Sequence, residues 1–194
     1  MSAESASTPD FTNKPTLHGR LVTLVPAQPA HVTEIYPLLA DPEASRLTGS
    51  VHTSTPSEHD LLPWTREEIE QIYARWSVAD DRIVWVIVDN DSGQIVGEVV
   101  INDLNAENLS CGFRIWMARQ QGRGLGTEAT RLAVRHAFED QHLHRIELEV
   151  YDFNPRARRV YEKVGFRLEG TLRDALRFDD GWVDAHQMAI LSTD

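Results

Sequence analysis

Two periodicities run through the chain. Alternating or continuous apolar stretches predict strands over residues 17–25, 82–88, 94–104, 109–117, 145–151, 167–176 and 182–191. In 109–117, Cys111, Phe113 and Ile115 fall on one face and Gly112, Arg114 and Trp116 on the other. Helical spacing predicts helices over 29–40, from Thr65 onward, over 124–141 and from Asn154. Thr65 and Glu68 form a capping box before a face of Ile69, Ile72, Tyr73 and Trp76. Asn154 caps the last helix, Pro155 fills its first turn and Gly165 ends it. Asn90-Asp91-Ser92-Gly93 and Asp179-Asp180-Gly181 predict hairpin turns. Hairpins and helices mix, so the fold class is α+β, with a mostly antiparallel sheet of about seven strands and about four helices. Residues 41–63 carry no regular period and read as a long loop, either a substrate loop or a tolerated surface insertion. Residues 1–16 read as a flexible tail, and 17–194 as a single domain.

Composition narrows the function classes. A net charge of −11 argues against nucleic acid as a partner and suits a cationic one. The single cysteine, Cys111, excludes an intrachain disulfide and fits a reducing compartment. Its neighbours by alternation are apolar, so it reads as a buried, inert thiol rather than a nucleophile. The polar start of the chain does not resemble a signal peptide, and no apolar run reaches membrane-spanning length. The protein is therefore expected to be cytoplasmic, with no membrane partner. The eight histidines form no spaced ligand set, so no metal is expected.

The chemistry concentrates in Gln121-Gly122-Arg123-Gly124-Leu125-Gly126-Thr127-Glu128-Ala129, between a strand and a helix. A glycine turn that opens a helix leaves N–H donors unpaired at the positive end of the helix dipole, a setting for a diphosphate. The stretch lacks the lysine of a Walker loop. It fits G-x-G-x-x-A of a dinucleotide fold, with Glu147 and Glu149 about 20 residues on. Too little chain follows to complete a doubly wound sheet, and the upstream strands join by tight turns.

A third reading uses more of the chain. Gln121-x-x-Gly124-x-Gly126 resembles motif A of the GNAT superfamily of acyl-CoA-dependent N-acetyltransferases. Asn154-Pro155-Arg156-Ala157-Arg158-Arg159-Val160-Tyr161-Glu162-Lys163-Val164-Gly165-Phe166 is similar to the family's N-x-x-A/S-x-x-x-Y-E-K-x-G-F segment. Leu17-x-Gly19-Arg20-Leu21, Gly112-Phe113, Gly126-Thr127-Glu128-Ala129 and Gly181-Trp182-x-Asp184 resemble the RimJ/RimL-like branch of ribosomal-protein N-terminal acetyltransferases. The resemblance implies the GNAT fold, acetyl-CoA as co-substrate and a homodimer. It implies a primary amine as acceptor, from a protein N-terminus or a cationic small molecule.

It also implies site roles. Trp116, Met117 and Ala118 would offer backbone groups to pantetheine, as an added strand does. Gln121, Gly122, Arg123, Gly124, Leu125, Gly126 and Thr127 would surround the diphosphate. Asn154 would bond the pantetheine arm or simply cap its helix. Arg158 and Arg159 would screen phosphate charge, or form a solvated face. Tyr161 would give the departing thiolate a proton, as a general acid. Many relatives carry a glutamate where this chain has Ser110. That leaves Glu98 or Glu149, through water, as a base, or an enzyme that binds the neutral amine and needs none. A competing reading is a non-catalytic acyl-CoA-binding regulatory module. Acceptor contacts are expected from 41–63, the helix after Thr65 and the last hairpin, with Trp64 and Trp182 as an apolar wall; Asp179 and Asp180 read as local turn residues.

Overall fold

The computed structural model describes residues 8–118 and 122–194. The chain runs β1 (Leu17–His18), β2 (Val22–Pro26), α1 (Val32–Leu39), α2 (Pro42–Leu47), α3 (Glu58–Leu61), α4 (Arg66–Val78), β3 (Ile83–Asp89), β4 (Ile95–Asn105), β5 (Ser110–Met117), α5 (Leu125–Arg135), β6 (Arg145–Tyr151), α6 (Pro155–Val164), β7 (Arg167–Phe178) and β8 (Gly181–Leu191). The strands form one sheet in the order β1-β2-β3-β4-β5-β6-β8-β7. Every neighbouring pair is antiparallel except β5 with β6.

The sheet is covered on both faces, which explains the unbroken apolar run of β3. Ile83, Trp85 and Ile87 join a core under α5 and α6, while Val84 and Val86 join a second core under α1 and α4. Cys111 and Phe113 of β5 face the first core. The Cys111 thiol is buried, and burial pushes its pKa up to about 12, which leaves it unreactive at neutral pH.

Four expectations need correction. The single first strand is two short ones, because Gly19 N–H donates to Val22 O and turns the chain between them. That division raises the strand number to eight. The stretch 41–63 is not structureless: Asp41 accepts from the N–H groups of Glu43 and Ala44 to start α2, and Ser57 with Asp60 forms the capping box of α3. The helix expected to reach Gln141 leaves the α form after Arg135 and continues as a π turn over His136–Asp140. This turns His136 inward, edge-on to Trp85, with its Nδ1 2.8 Å from Asp140 Oδ2.

The fourth correction concerns the tail. Residues 8–16 lie against the domain: Phe11 is 1% exposed within the first core. Lys14 Nζ donates to the carbonyls of Phe11, Ala79 and Arg82 at 2.9, 2.7 and 2.6 Å. Trp85 Nε1 donates to Pro15 O at 2.8 Å. One buried aromatic and one multiply bonded ammonium fasten a segment whose composition is that of a loose terminus.

Candidate active site

The site begins where the parallel pair β5–β6 comes apart. β5 and β6 are bonded at Ser110–Arg145, Cys111–Ile146 and Gly112–Glu147, and no further. Beyond that point each strand keeps its outer neighbour: β5 stays with β4 as far as Met117, and β6 with β8 as far as Tyr151. A wedge-shaped opening therefore starts at Phe113 and Leu148. Strands that lose each other's hydrogen bonds leave backbone donors and acceptors for an extended ligand.

The glycine turn stands beside the opening. Gly122 and Gly124 have φ of +90° and +86°, a region that L side chains rarely adopt. Gly124 is the N-cap of α5, and the first intrahelical bond, Glu128 N–H to Gly124 O, leaves the preceding N–H groups of Leu125, Gly126 and Thr127 unpaired within the helix. Among the described residues, a Cβ on Gly122 would meet nothing within 4 Å. This fits an anion such as a diphosphate: N–H groups are left unpaired within the helix and the dipole is positive there. Gln121 lies outside the described residues.

Two acidic tethers fix this turn. Arg123 pairs with the fully buried Asp89 at 2.8 Å and also with Asp91, both at the β3–β4 hairpin. Burial alone would raise the Asp89 pKa, but the Asp91 N–H, Arg123 and Ser92 outweigh it and hold the carboxyl below its usual value. The Arg123 side chain is thus a brace, while its backbone belongs to the turn. Glu128 Oε2 accepts from the N–H groups of Leu21 and Val22 at 2.5 and 2.9 Å. A Cβ on Gly19 would lie 2.7 Å from that oxygen, so Gly19 makes room for it.

The other expected coenzyme contacts divide. The Ala118 N–H donates to Val96 O on β4, and Gly97 leaves room for Trp116 O, which a Cβ there would approach to 2.1 Å. Those two groups, the Ala118 N–H and the Trp116 carbonyl, therefore face β4 and not the opening. The Met117 side chain lies beneath α5, and a Cβ on Gly126 would sit 3.7 Å from its Cγ. Asn154 caps α6 through Ala157 N–H and also donates to Leu47 O, both at 3.1 Å. The capping alternative is thus satisfied, with one amide donor turned to α2. Arg158 pairs with Glu162 on its own helix, and Arg159 is exposed.

Tyr161 is buried on the α6 side of the sheet. Its ring is edge-on to Phe113, with centroids 6.2 Å apart, and packs on Phe166. Phe113 is the first β5 residue beyond the last paired position, so the phenol lies at the apex of the opening. Burial raises its pKa above the usual tyrosine value, so the hydroxyl is protonated throughout the physiological range.

The opposite face holds a cavity of about 770 Å³. Its floor is formed by β3–β8 and its roof by α1, α2 and α4. Glu98, Glu149 and the Trp116 side chain line it, as do Trp64, Tyr73, Trp76 and Asn154. Glu98 is 5% exposed. Burial pushes its pKa up to about 8, against the hydrogen bond from the Trp116 side chain and the charge of Arg114. Glu149 is exposed and interacts with Tyr151, whose hydroxyl is raised by burial and then by that carboxylate. Of the two expected bases, Glu98 is thus the buried one. Among the described residues no group of three or more His, Cys, Asp or Glu could hold a metal ion.

Two acceptor-side expectations change. Trp182 is 61% exposed and does not line the cavity. Asp179 is more than a turn residue: it accepts from Thr53 Oγ1 at 2.8 Å and Ser54 N–H at 2.9 Å. Its own N–H donates to His52 O at 2.9 Å, and His52 Nδ1 lies 3.0 Å from Arg177 O. Residues 52–54 therefore form a strap bonded to the last hairpin. Sequence analysis also missed Asn102, Arg114 and Glu169, which reach the cavity on strands whose neighbours were unknown, and Asp103, which reaches it where β4 loses its regular register after Asn102.

This arrangement has counterparts. A ribosomal protein uS5-alanine N-acetyltransferase of Escherichia coli is 33% identical over 154 residues, covering 71% of this chain and 77% of that protein. A probable N-acetyltransferase YjcK of Bacillus subtilis is 44% identical over 73 residues, which are 38% of this chain and 40% of that protein. In fold, the chain is similar to a spermidine N-acetyltransferase of Vibrio cholerae solved with CoA and spermine, with a TM-score of 0.77 and 23% identity over 90% of this chain and 98% of that one. The acetyltransferase (GNAT) domain family matches residues 21–167, across the glycine turn, the wedge and α6, and the chain belongs to that family.

Proposed function

We propose that this protein moves an acetyl group from acetyl-CoA to a primary amine by direct attack with both substrates bound. The observation that carries the reading is the wedge between β5 and β6, with a protonated phenol at its apex on one face and a cavity holding a buried carboxylate on the other. A thioester supplies an activated acyl carbon and a thiolate leaving group. The opening at Phe113 lets a thioester held on the α5 side meet an amine held on the α4 side.

The N-terminus of α5 with the glycine turn binds the diphosphate, and the free edges of β5 and β6 bind the pantetheine arm. Glu98, as carboxylate, takes a proton from the arriving ammonium. The amine nitrogen then bonds to the acyl carbon as the carbon–sulfur bond breaks; Tyr161 gives its hydroxyl proton to the sulfur, and the proton that the nitrogen loses in becoming the amide returns to the Tyr161 phenolate through water. Relatives named for ribosomal protein uS5 and for spermidine support an amine acceptor in general. By family resemblance the reading extends to a cytoplasmic homodimer, which sedimentation of the purified protein tests.

Thiol release from acetyl-CoA with a panel of amines tests the whole proposal. Release above the hydrolytic background with at least one amine is expected. Coenzyme binding without release for any amine would turn the reading into a binding module.

A further inference from the structure

The cavity on the α4 face has two unlike halves. Leu38, Ile69, Ile72 and Trp76, with Trp64 at its rim, give it an apolar and aromatic wall. The sheet floor carries charge, but little of it is uncompensated. Arg145 is bonded to both Glu147 and Glu169, at 3.0 and 2.6 Å. Arg82, Asp103, Arg114, Glu98 and Glu149 line the cavity as well, and the charge of Arg114 acts on Glu98. A polycation threaded along the floor would pass the Arg114 and Arg145 guanidiniums.

Two further features bear on the occupant. Tyr73 is 2% exposed, and its hydroxyl is buried in this lining without a hydrogen-bond partner among the described residues. A buried hydroxyl left unpaired is costly, and a polar atom of a ligand relieves that cost. The strap at His52–Ser54 is bonded to the β7–β8 hairpin, and Asn154 ties the end of α2 to α6. Of these, His52 and Thr53 line a separate, smaller cavity, whereas α2 and Asn154 line this one. Its volume of about 770 Å³ is that of a small-molecule site.

We infer that the acceptor is a small arylalkylamine: one primary ammonium at Glu98, an aromatic body against Trp64, Trp76 and Ile72, and a polar ring substituent paired with the Tyr73 hydroxyl. The inference rests on the transferase reading and narrows it to one substrate class. It disfavours polyamines and a folded protein's amino terminus, neither of which brings an obligatory aromatic body to this wall.

The test uses the full chain with saturating acetyl-CoA and measures thiol release with tyramine, phenethylamine, tryptamine, putrescine, spermidine and a decapeptide with a free amino terminus. The expected result is a kcat/KM for the best arylalkylamine at least about tenfold above that of spermidine and of the peptide, the factor that burial of one aromatic ring supplies. Trp64→Ala, at a half-exposed position that tolerates truncation, raises KM for arylalkylamines about tenfold and leaves KM for acetyl-CoA unchanged. Tyr73→Phe reduces the preference for tyramine over phenethylamine. Equal or better turnover of spermidine or the peptide overturns the inference and leaves the transferase reading intact. So does an unchanged arylalkylamine KM in Trp64→Ala. No thiol release with any amine overturns both.

Discussion

Burial keeps the Glu98 carboxyl largely protonated until the pH nears 8, against an ordinary value of 4.5, and this has consequences for activity and for stability. Only the carboxylate accepts a proton, so kcat with a fixed amine should rise through a limb near pH 8. Glu98→Gln should remove that limb and lower kcat about 100-fold or more, as loss of a general base does. An unaltered pH profile would exclude Glu98 as the base. For stability, the folded state keeps a proton that the unfolded chain has released. The contribution is complete below pH 4.5 and is lost as the pH rises to about 8. Glu98→Gln has no such loss, so its melting temperature relative to the parent should climb between pH 5 and 8.5, by an amount reflecting a few kcal/mol (roughly, at 1.36 kcal/mol per unit). Tyr161→Phe isolates the acid: kcat should fall about 100-fold or more while KM for acetyl-CoA holds, because the ring still packs on Phe113 and Phe166. The types and positions of Glu98 and Tyr161 could be read from sequence. The protonation state of Glu98 could not, because it depends on Trp116 and Arg114 from the paired strand and on the helices above.

Among the elements, α5 shows how two distant motifs become one device. Gly126-Thr127-Glu128-Ala129 opens the helix, and Leu17-x-Gly19-Arg20-Leu21 opens the domain; they meet where Glu128 accepts the Leu21 and Val22 N–H groups. That tether sets the direction in which the first helical N–H groups point, and so the anion cradle. Glu128→Ala should raise KM for acetyl-CoA about tenfold with kcat nearly kept, since the tether acts on binding and not on the reacting atoms. A single oxygen of Glu128 takes both N–H groups, so Glu128→Gln should restore the KM. Equal KM values in the parent and Glu128→Ala would show that the tether does not shape the cradle. The strand-to-helix turn was legible because glycines at φ of +90° and +86° have few substitutes. The short helices α2 and α3 were not, although Asp41-Pro42 and Ser57-x-x-Asp60 carry their caps, because helices of 6 and 4 residues have too few positions to display a period.

For the molecule as a whole, the sheet works as a partition with one gap. Two cores cover its faces, and each supplies one side of the proposed chemistry. The amino-terminal segment belongs to this scaffold: Phe11→Ala should cost about 3 kcal/mol or more, as truncation of a buried phenylalanine does, read as a lower denaturation midpoint. A midpoint equal to the parent's would mean that residues 8–16 add nothing to the fold. Local order alone dictated the α+β class, most strand and helix positions, the glycine turn and the phenol-bearing helix. Period, caps and turn residues act over a few positions, and the chain states them openly. The wedge, the Asp179 strap, the buried Phe11 and the cavity under α4 arise only when strands and loops far apart in sequence pack together. Which strands lose their mutual hydrogen bonds, and which acids end up beside arginines, are properties of that packing, because hydrogen bonding and burial depend on neighbours that the order of residues does not display.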